Sequence, residues 1–189
     1  MLVYEGPDSN LYIVPVNAAT GTVGIPEHFR SGSYSNPSWS PDGTRIAFWG
    51  SEDGNLPFFI KVRDVATGSE ISFGVSVAGA TIFSNQTPQW SPDGSLIAFA
   101  GPVSWTVTTG KGTSTKYGEE IFTANADGTG ITRQTFLKST TFSPTWSPDG
   151  TTIAFRSDVS GTASVYKMVL GSNVTTLLHS PGCTPDWNP

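Results

Sequence analysis

Apolar residues along this chain fall into short runs separated by turn residues. Leu2-Val3-Tyr4, Leu11-Tyr12-Ile13-Val14, Ile46-Ala47-Phe48, Ile97-Ala98-Phe99 and Ile153-Ala154-Phe155 are set among turn formers such as Gly, Pro, Asn, Asp and Ser. Runs of this length, rich in aromatic and branched side chains, predict strands. No stretch carries a convincing helical period. The first unit of strands covers 2–4, 11–14 and an outer strand within 23–29. The second covers 38–40, 45–49, 58–65 and 71–73. The third runs from Pro88 with strands at 96–100, 120–125 and 131–136, and the fourth from Pro144 with strands at 152–156, 164–169 and 174–179. Four short strands joined by turns make one antiparallel sheet, so the pattern predicts a series of such sheets, the first lacking its opening strand.

One phrase recurs ahead of the apolar runs. Pro37-Ser38-Trp39-Ser40-Pro41-Asp42-Gly43 precedes Ile46-Ala47-Phe48, Pro88-Gln89-Trp90-Ser91-Pro92-Asp93-Gly94 precedes Ile97-Ala98-Phe99, and Pro144-Thr145-Trp146-Ser147-Pro148-Asp149-Gly150 precedes Ile153-Ala154-Phe155. A worn copy, Pro185-Asp186-Trp187-Asn188-Pro189, closes the chain. Units repeated in this way bury their apolar faces by stacking on one another. The Pro-Asp-Gly turns suit a tight reversal, with proline presetting φ and glycine free to take positive φ.

The phrase Pro-x-Trp-Ser-Pro-Asp-Gly-x-x-Ile-Ala-Phe resembles the PD40, or WD40-like, repeats of TolB-type β-propellers, which also occur in the non-catalytic propellers of prolyl oligopeptidase-like enzymes. The resemblance implies an all-β propeller, and the repeat count with its matched ends predicts four four-stranded blades in one domain, residues 1–189, where TolB-type propellers usually have six or more. Its blades cover approximately 1–36 plus 184–189, 37–87, 88–143 and 144–183. The last copy supplies the innermost strand that the first unit lacks, so residues 184–188 are expected to complete the first blade and close the ring. Two chains exchanging that strand in an eight-bladed dimeric ring, or an arc of a larger propeller, satisfy the same ends. The resemblance further implies a periplasmic or extracellular setting and a protein or peptide partner.

Composition narrows the function classes. Charged residues make up 13% of the chain, against a usual figure of about 25%, so the surface is expected to be neutral and polar. The net charge of −5 is spread along the chain without a basic run, which argues against nucleic acid. No apolar stretch is long enough to span a membrane, and Met1 leads directly into a strand with no signal-peptide pattern. Cys183 is the single cysteine, expected to be a small buried residue rather than a nucleophile.

Catalytic patterns are absent or out of context. There is no Gly-x-Ser-x-Gly elbow. Ser164 and Lys167, spaced as in a Ser-Lys pair, fall on opposite faces of a strand. Gly110-Lys111-Gly112-Thr113 lacks the glycine and the helix of a phosphate loop. His28 and His179 are too few for a zinc site, and no cofactor or metal is expected. Asp42, Asp93 and Asp149 are read as turn residues, and Trp39, Trp90, Trp146 and Trp187 as packing between blades. Asn85-Gln86-Thr87 and Asn173-Val174-Thr175 match the glycosylation pattern and are assigned no function.

What remains is the end of the propeller that carries the long connections: 30–36, 50–56, 74–87, 137–143 and an insertion at 101–118. Binding groups are commonly displayed on loops held by a rigid scaffold. Tyr34, Trp105, Lys111, Lys116 and Tyr117 are the candidate binding residues there, with Trp105 folded over its own blade as the alternative. The expected function is a non-enzymatic interaction scaffold, working as a monomer or homodimer. A gating or specificity propeller of a larger hydrolase, or a minimal or engineered propeller without a ligand, are the other readings.

Overall fold

The computed structural model describes residues 1–53, 59–78 and 87–187. Among these the chain forms fifteen strands. The first sheet contains β1 (Leu2–Glu5), β2 (Leu11–Val14) and β3 (Glu27–Arg30). The second contains β4 (Ser33–Trp39), β5 (Arg45–Ser51), β6 (Phe59–Asp64) and β7 (Glu70–Phe73). The third contains β8 (Gln89–Trp90), β9 (Leu96–Thr109), β10 (Gly112–Asn125) and β11 (Thr132–Arg133), and the fourth β12 (Thr141–Trp146), β13 (Thr152–Ser157), β14 (Ser164–Val169) and β15 (Thr175–His179). Within each sheet every strand pairs antiparallel with its sequence neighbours, in sheets of three, four, four and four. No helix among the described residues is long and apolar enough to cross a membrane.

Side-chain alternation explains why the Ile-Ala-Phe phrase recurs. Successive residues of a strand face opposite sides. Ile46 and Phe48 pack with Leu11, Ile13 and Tyr34 against the first blade, while Ala47 packs on the far side with Trp90. Ile97 and Phe99 likewise join the cluster shared with the second blade, and Ala98 joins the cluster holding Trp146. The bulky residues therefore fill the interface with the preceding blade, and the alanine leaves room for the next blade's indole. Each of the three interfaces has its own buried cluster.

The same indoles tie the blades by hydrogen bonds. Trp90 Nε1 donates to the Ser38 carbonyl at 3.1 Å, Trp146 Nε1 to the Gln89 carbonyl at 3.0 Å and Trp187 Nε1 to the Thr145 carbonyl at 3.3 Å. In each case the acceptor is the residue just before the preceding copy's tryptophan. Arg45 lies over the Trp90 ring, 4.7 Å from its centroid.

The Pro-Asp-Gly turns are braced as their residue types demand. Asp42 Oδ1 accepts from Ser40 Oγ, Thr44 N and Thr44 Oγ1. Asp93 accepts the same set from Ser91 and Ser95, and Asp149 from Ser147 and Thr151. The Ser40 hydroxyl, then the Thr44 amide and hydroxyl, hold the Asp42 carboxyl down at about 2. Gly43, Gly94 and Gly150 have φ near +70°, the left-handed conformation these turns need. The three aspartates are turn residues, as expected.

Two elements run longer than the sequence pattern suggests. Inner strands β4 and β12 begin before their prolines, because a bulge carries each chain past the residue that lacks an N–H. Asn36 and Ser143 sit at these bulges with φ of 53°. The segment 30–36, expected as a connection, is therefore largely β3 and β4.

The first sheet differs from expectation at its inner edge. Among the described residues β1 pairs only with β2, and 184–187 forms no strand; Asn188 lies outside the described residues. The segment instead follows the tryptophan rule and docks Trp187 on the fourth blade. Cys183, within this strandless stretch, is exposed rather than buried.

Candidate functional site

The insertion at 101–118 is a hairpin rather than a loop. Strands β9 and β10 pair without interruption from Leu96↔Asn125 to Thr109↔Gly112, leaving Gly110-Lys111 as a two-residue turn. Beyond the body of the blade, the described residues give this ribbon no further ladder: β8 pairs only at Ala98 and Ile97, and β11 only at Phe122 and Thr123. The alternating threonines, serines and valines of 103–109 and 112–116 suit an extended ribbon, and the register predicts which residues share a face.

One face carries Val103, Trp105 and Val107 opposite Gly118, Lys116 and Ser114. Trp105 is half-buried and packs against the cluster between the second and third blades. Lys116 stands directly opposite and is exposed. A Cβ on Gly118 would lie 2.5 Å from the Ser139 carbonyl oxygen and 3.0 Å from the Trp105 ring, so the missing side chain lets both approach. The other face carries Ser104 and Thr106 opposite Tyr117 and Thr115, with Tyr117 39% exposed. Lys111 is exposed at the tip. The structure thus gathers Trp105, Lys111, Lys116 and Tyr117 on one ribbon, but divides Trp105 and Lys116 from Tyr117.

Tyr34 does not join them. Its ring is 1% exposed, packed edge-on to Phe48 at 5.1 Å with the Arg30 guanidinium 5.6 Å from its centroid. Position 34 points inward because the bulged β4 continues through it, which turns an expected surface aromatic into a core residue. The connections 50–56 and 74–87 lie partly outside the described residues, as does Asn85-Gln86.

Two acids at the base of the ribbon escaped the sequence reading. Glu119 and Glu120 are adjacent on β10, so they face opposite sides, yet both are buried, at 2% and 0% exposure. Glu120 is satisfied by the Thr135 hydroxyl, the Lys138 amide at 2.7 Å and Arg133 at 3.3 Å. Glu119 is different: burial raises its carboxyl from 4.5 to about 7. Its backbone N–H donates to the Ser139 carbonyl at 3.1 Å, tying the ribbon's base to the entry of the fourth blade. The available signal was a pair of adjacent charges directly ahead of the apolar pair Ile121-Phe122.

Gln89, Thr145 and Asp186 help line an open groove of about 400 Å³ between β8, β12 and the 184–187 segment. Among the described residues no group of three or more His, Cys, Asp or Glu side chains is placed to hold a metal. Ser164 is buried and bonded to Ser180 Oγ at 2.8 Å.

A family model described as the TolB beta propeller domain (PD40) matches residues 33–188. The fold is similar to TolB from Acinetobacter baumannii, with 23% identity and a TM-score of 0.66 over 96% of this chain and 41% of that one. It is also similar to a chain of the nidogen/laminin complex (10% identity, TM-score 0.62, 98% of this chain and 64% of that one). A puromycin-hydrolyzing peptidase from Mycobacterium tuberculosis matches at 19% identity and a TM-score of 0.57, over 94% of this chain and 28% of that one. The chain spans less than two thirds of each of these proteins.

Proposed function

The chain belongs to the family of TolB β-propeller domains, and we propose that it is a non-enzymatic scaffold that binds a protein or peptide through the β9–β10 ribbon. The observation that carries this reading is the ribbon itself: a body of stacked sheets holds out two strands whose outer reaches have unpaired edges among the described residues. Such an edge accepts an extended peptide by main-chain hydrogen bonds, with side chains supplying selectivity. Lys116 and Lys111 offer cationic contacts to an acidic peptide, and Trp105 and Tyr117 offer apolar area on the two faces. A periplasmic or cell-surface setting accords with the family resemblance.

Selection of a displayed peptide library against the intact chain tests this. Recovered peptides are expected to share an extended, acidic-aromatic pattern and to lose binding about tenfold or more on Lys116→Glu or Tyr117→Ala. Equal binding by both variants overturns the ribbon as the site.

The likeness to the peptidase, in which the matched region is 28% of the chain, favours a second reading: a specificity propeller within a larger hydrolase. Contiguous coding sequence for a Ser-His-Asp domain decides for it.

A further inference from the structure

Main-chain groups along an antiparallel strand alternate between its two sides. On β10, Glu119 N donates to the Ser139 carbonyl at 3.1 Å, Ile121 O accepts from Gln134 N at 2.8 Å and Asn125 N donates to the Thr129 carbonyl at 2.8 Å. Odd-numbered residues of this strand therefore turn their N–H and C=O away from β9, and even-numbered ones bond to it. In the outer reach of the ribbon the odd-numbered residues are Thr113, Thr115 and Tyr117, all exposed. Among the described residues no main-chain group pairs with them on that side. On β9 the outward positions are those opposite: Ser104, Thr106 and Thr108, with Pro102 at the base.

The base of the β10 edge is closed in a particular way. Residues 129–135 cover it from Asn125 to Ile121, and at Glu119 the chain returns as 139–140, lying parallel to β10. A strand added along Thr113, Thr115 and Tyr117 lies in line with 139–140 and ends against it. Lys138 stands at that junction, with a left-handed φ of 55° where the chain turns back. It is exposed, and among the described residues it forms no ion pair. The acids nearest in the hydrogen-bond network are already engaged. Glu120 accepts the Lys138 amide at 2.7 Å, and Asp158 accepts from Ser139 Oγ at 2.5 Å and the Thr140 amide at 2.9 Å.

We propose that the ribbon captures the free C-terminus of an extended peptide, which runs parallel to β10 along Thr113, Thr115 and Tyr117 and brings its terminal carboxylate to Lys138. This rests on the reading of the ribbon as a peptide site and names the edge, the direction and the end of the peptide. Main-chain pairing supplies the docking, and charge selects the direction. A peptide running the same way as 139–140 ends at Ser139 with its carboxylate beside the Lys138 ammonium. The reverse direction sets an N-terminal ammonium there, a like-charge contact that disfavours it. Lys116 and Lys111, exposed on the same ribbon, match acidic side chains farther up the peptide.

Short N-acetylated peptides of Glu, Asp, Tyr, Phe and Thr, ending either in a free carboxylate or in an amide, test this when titrated against the intact chain by fluorescence anisotropy. The carboxylate form is expected to bind about tenfold or more tightly than the amide. Lys138→Asn, which keeps a residue suited to the left-handed conformation, is expected to remove that preference. Thr115→Pro takes away an outward N–H and no bond to β9, so it is expected to weaken both forms, whereas Thr106→Pro, its counterpart on β9, is expected to leave them unchanged. Equal binding of the two forms, or a preference that survives Lys138→Asn, overturns the C-terminal assignment while the ribbon stands as a peptide site. Loss of binding with Thr106→Pro but not with Thr115→Pro overturns the choice of edge. Binding of neither form overturns both this proposal and the reading beneath it.

Discussion

At the scale of single residues, two groups set the energetics most plainly. The Trp90 and Trp146 indoles each satisfy a carbonyl of the preceding blade. Replacing either by phenylalanine keeps most of the apolar area but strands that carbonyl, and we expect a loss of about 1–3 kcal/mol in denaturant unfolding. Trp39 Nε1 has no hydrogen-bond partner among the described residues, so Trp39→Phe is expected to cost less. Glu119 gives a pH dependence. Its carboxyl is raised from 4.5 to about 7 by burial, so the folded state holds a proton that the unfolded chain releases. Stability from this group is therefore full below about 4.5 and lost as pH rises through about 7. Glu119→Gln is expected to raise stability at pH 8 by on the order of 2 kcal/mol and to change it little at pH 4. A variant no more stable at pH 8 than at pH 4, relative to wild type, would contradict this.

At the scale of elements, the ribbon and the blades behave as separate constructions. Residues 104–117 are exposed apart from the half-buried Trp105 and Val107, while 97–103 and 118–124 are buried throughout. Replacing 106–115 by a two-residue Asn-Gly turn is expected to abolish peptide capture while leaving the midpoint of thermal unfolding within a few degrees. A larger fall would mean that the ribbon supports the body. The alanines make the opposite case: Ala98→Leu pushes bulk into the space taken by Trp146 and is expected to cost about 1–3 kcal/mol.

These contrasts explain what was legible in the sequence. The blades could be read because Ile-Ala-Phe records the alternation of two unlike faces, and the turns because Ser, Asp and Gly each perform a local task. The ribbon was misread as a loop because its threonines and serines lack an inward apolar face, the usual mark of a strand. Tyr34 was misplaced for a related reason: Pro37 masked the bulged strand upstream, and an aromatic in an apparent loop looks exposed.

For the whole molecule, the arrangement is a series of like contacts rather than one central core. Each blade meets its neighbours through its own cluster, so stability is expected to be a sum of blade and interface terms. Removing the fourth blade by ending the chain at residue 140 is expected to lower the thermal midpoint while leaving the cluster between the first two blades in place.

The indole contacts of Trp90, Trp146 and Trp187 all run one way, each gripping the unit behind it. A chain built so has a grammar: every unit is checked against its predecessor and leaves its own carbonyl for its successor. Whole units spliced in from one tryptophan to the next would preserve every grip, so lengthening by duplication is open to this protein at no cost to the joints already made.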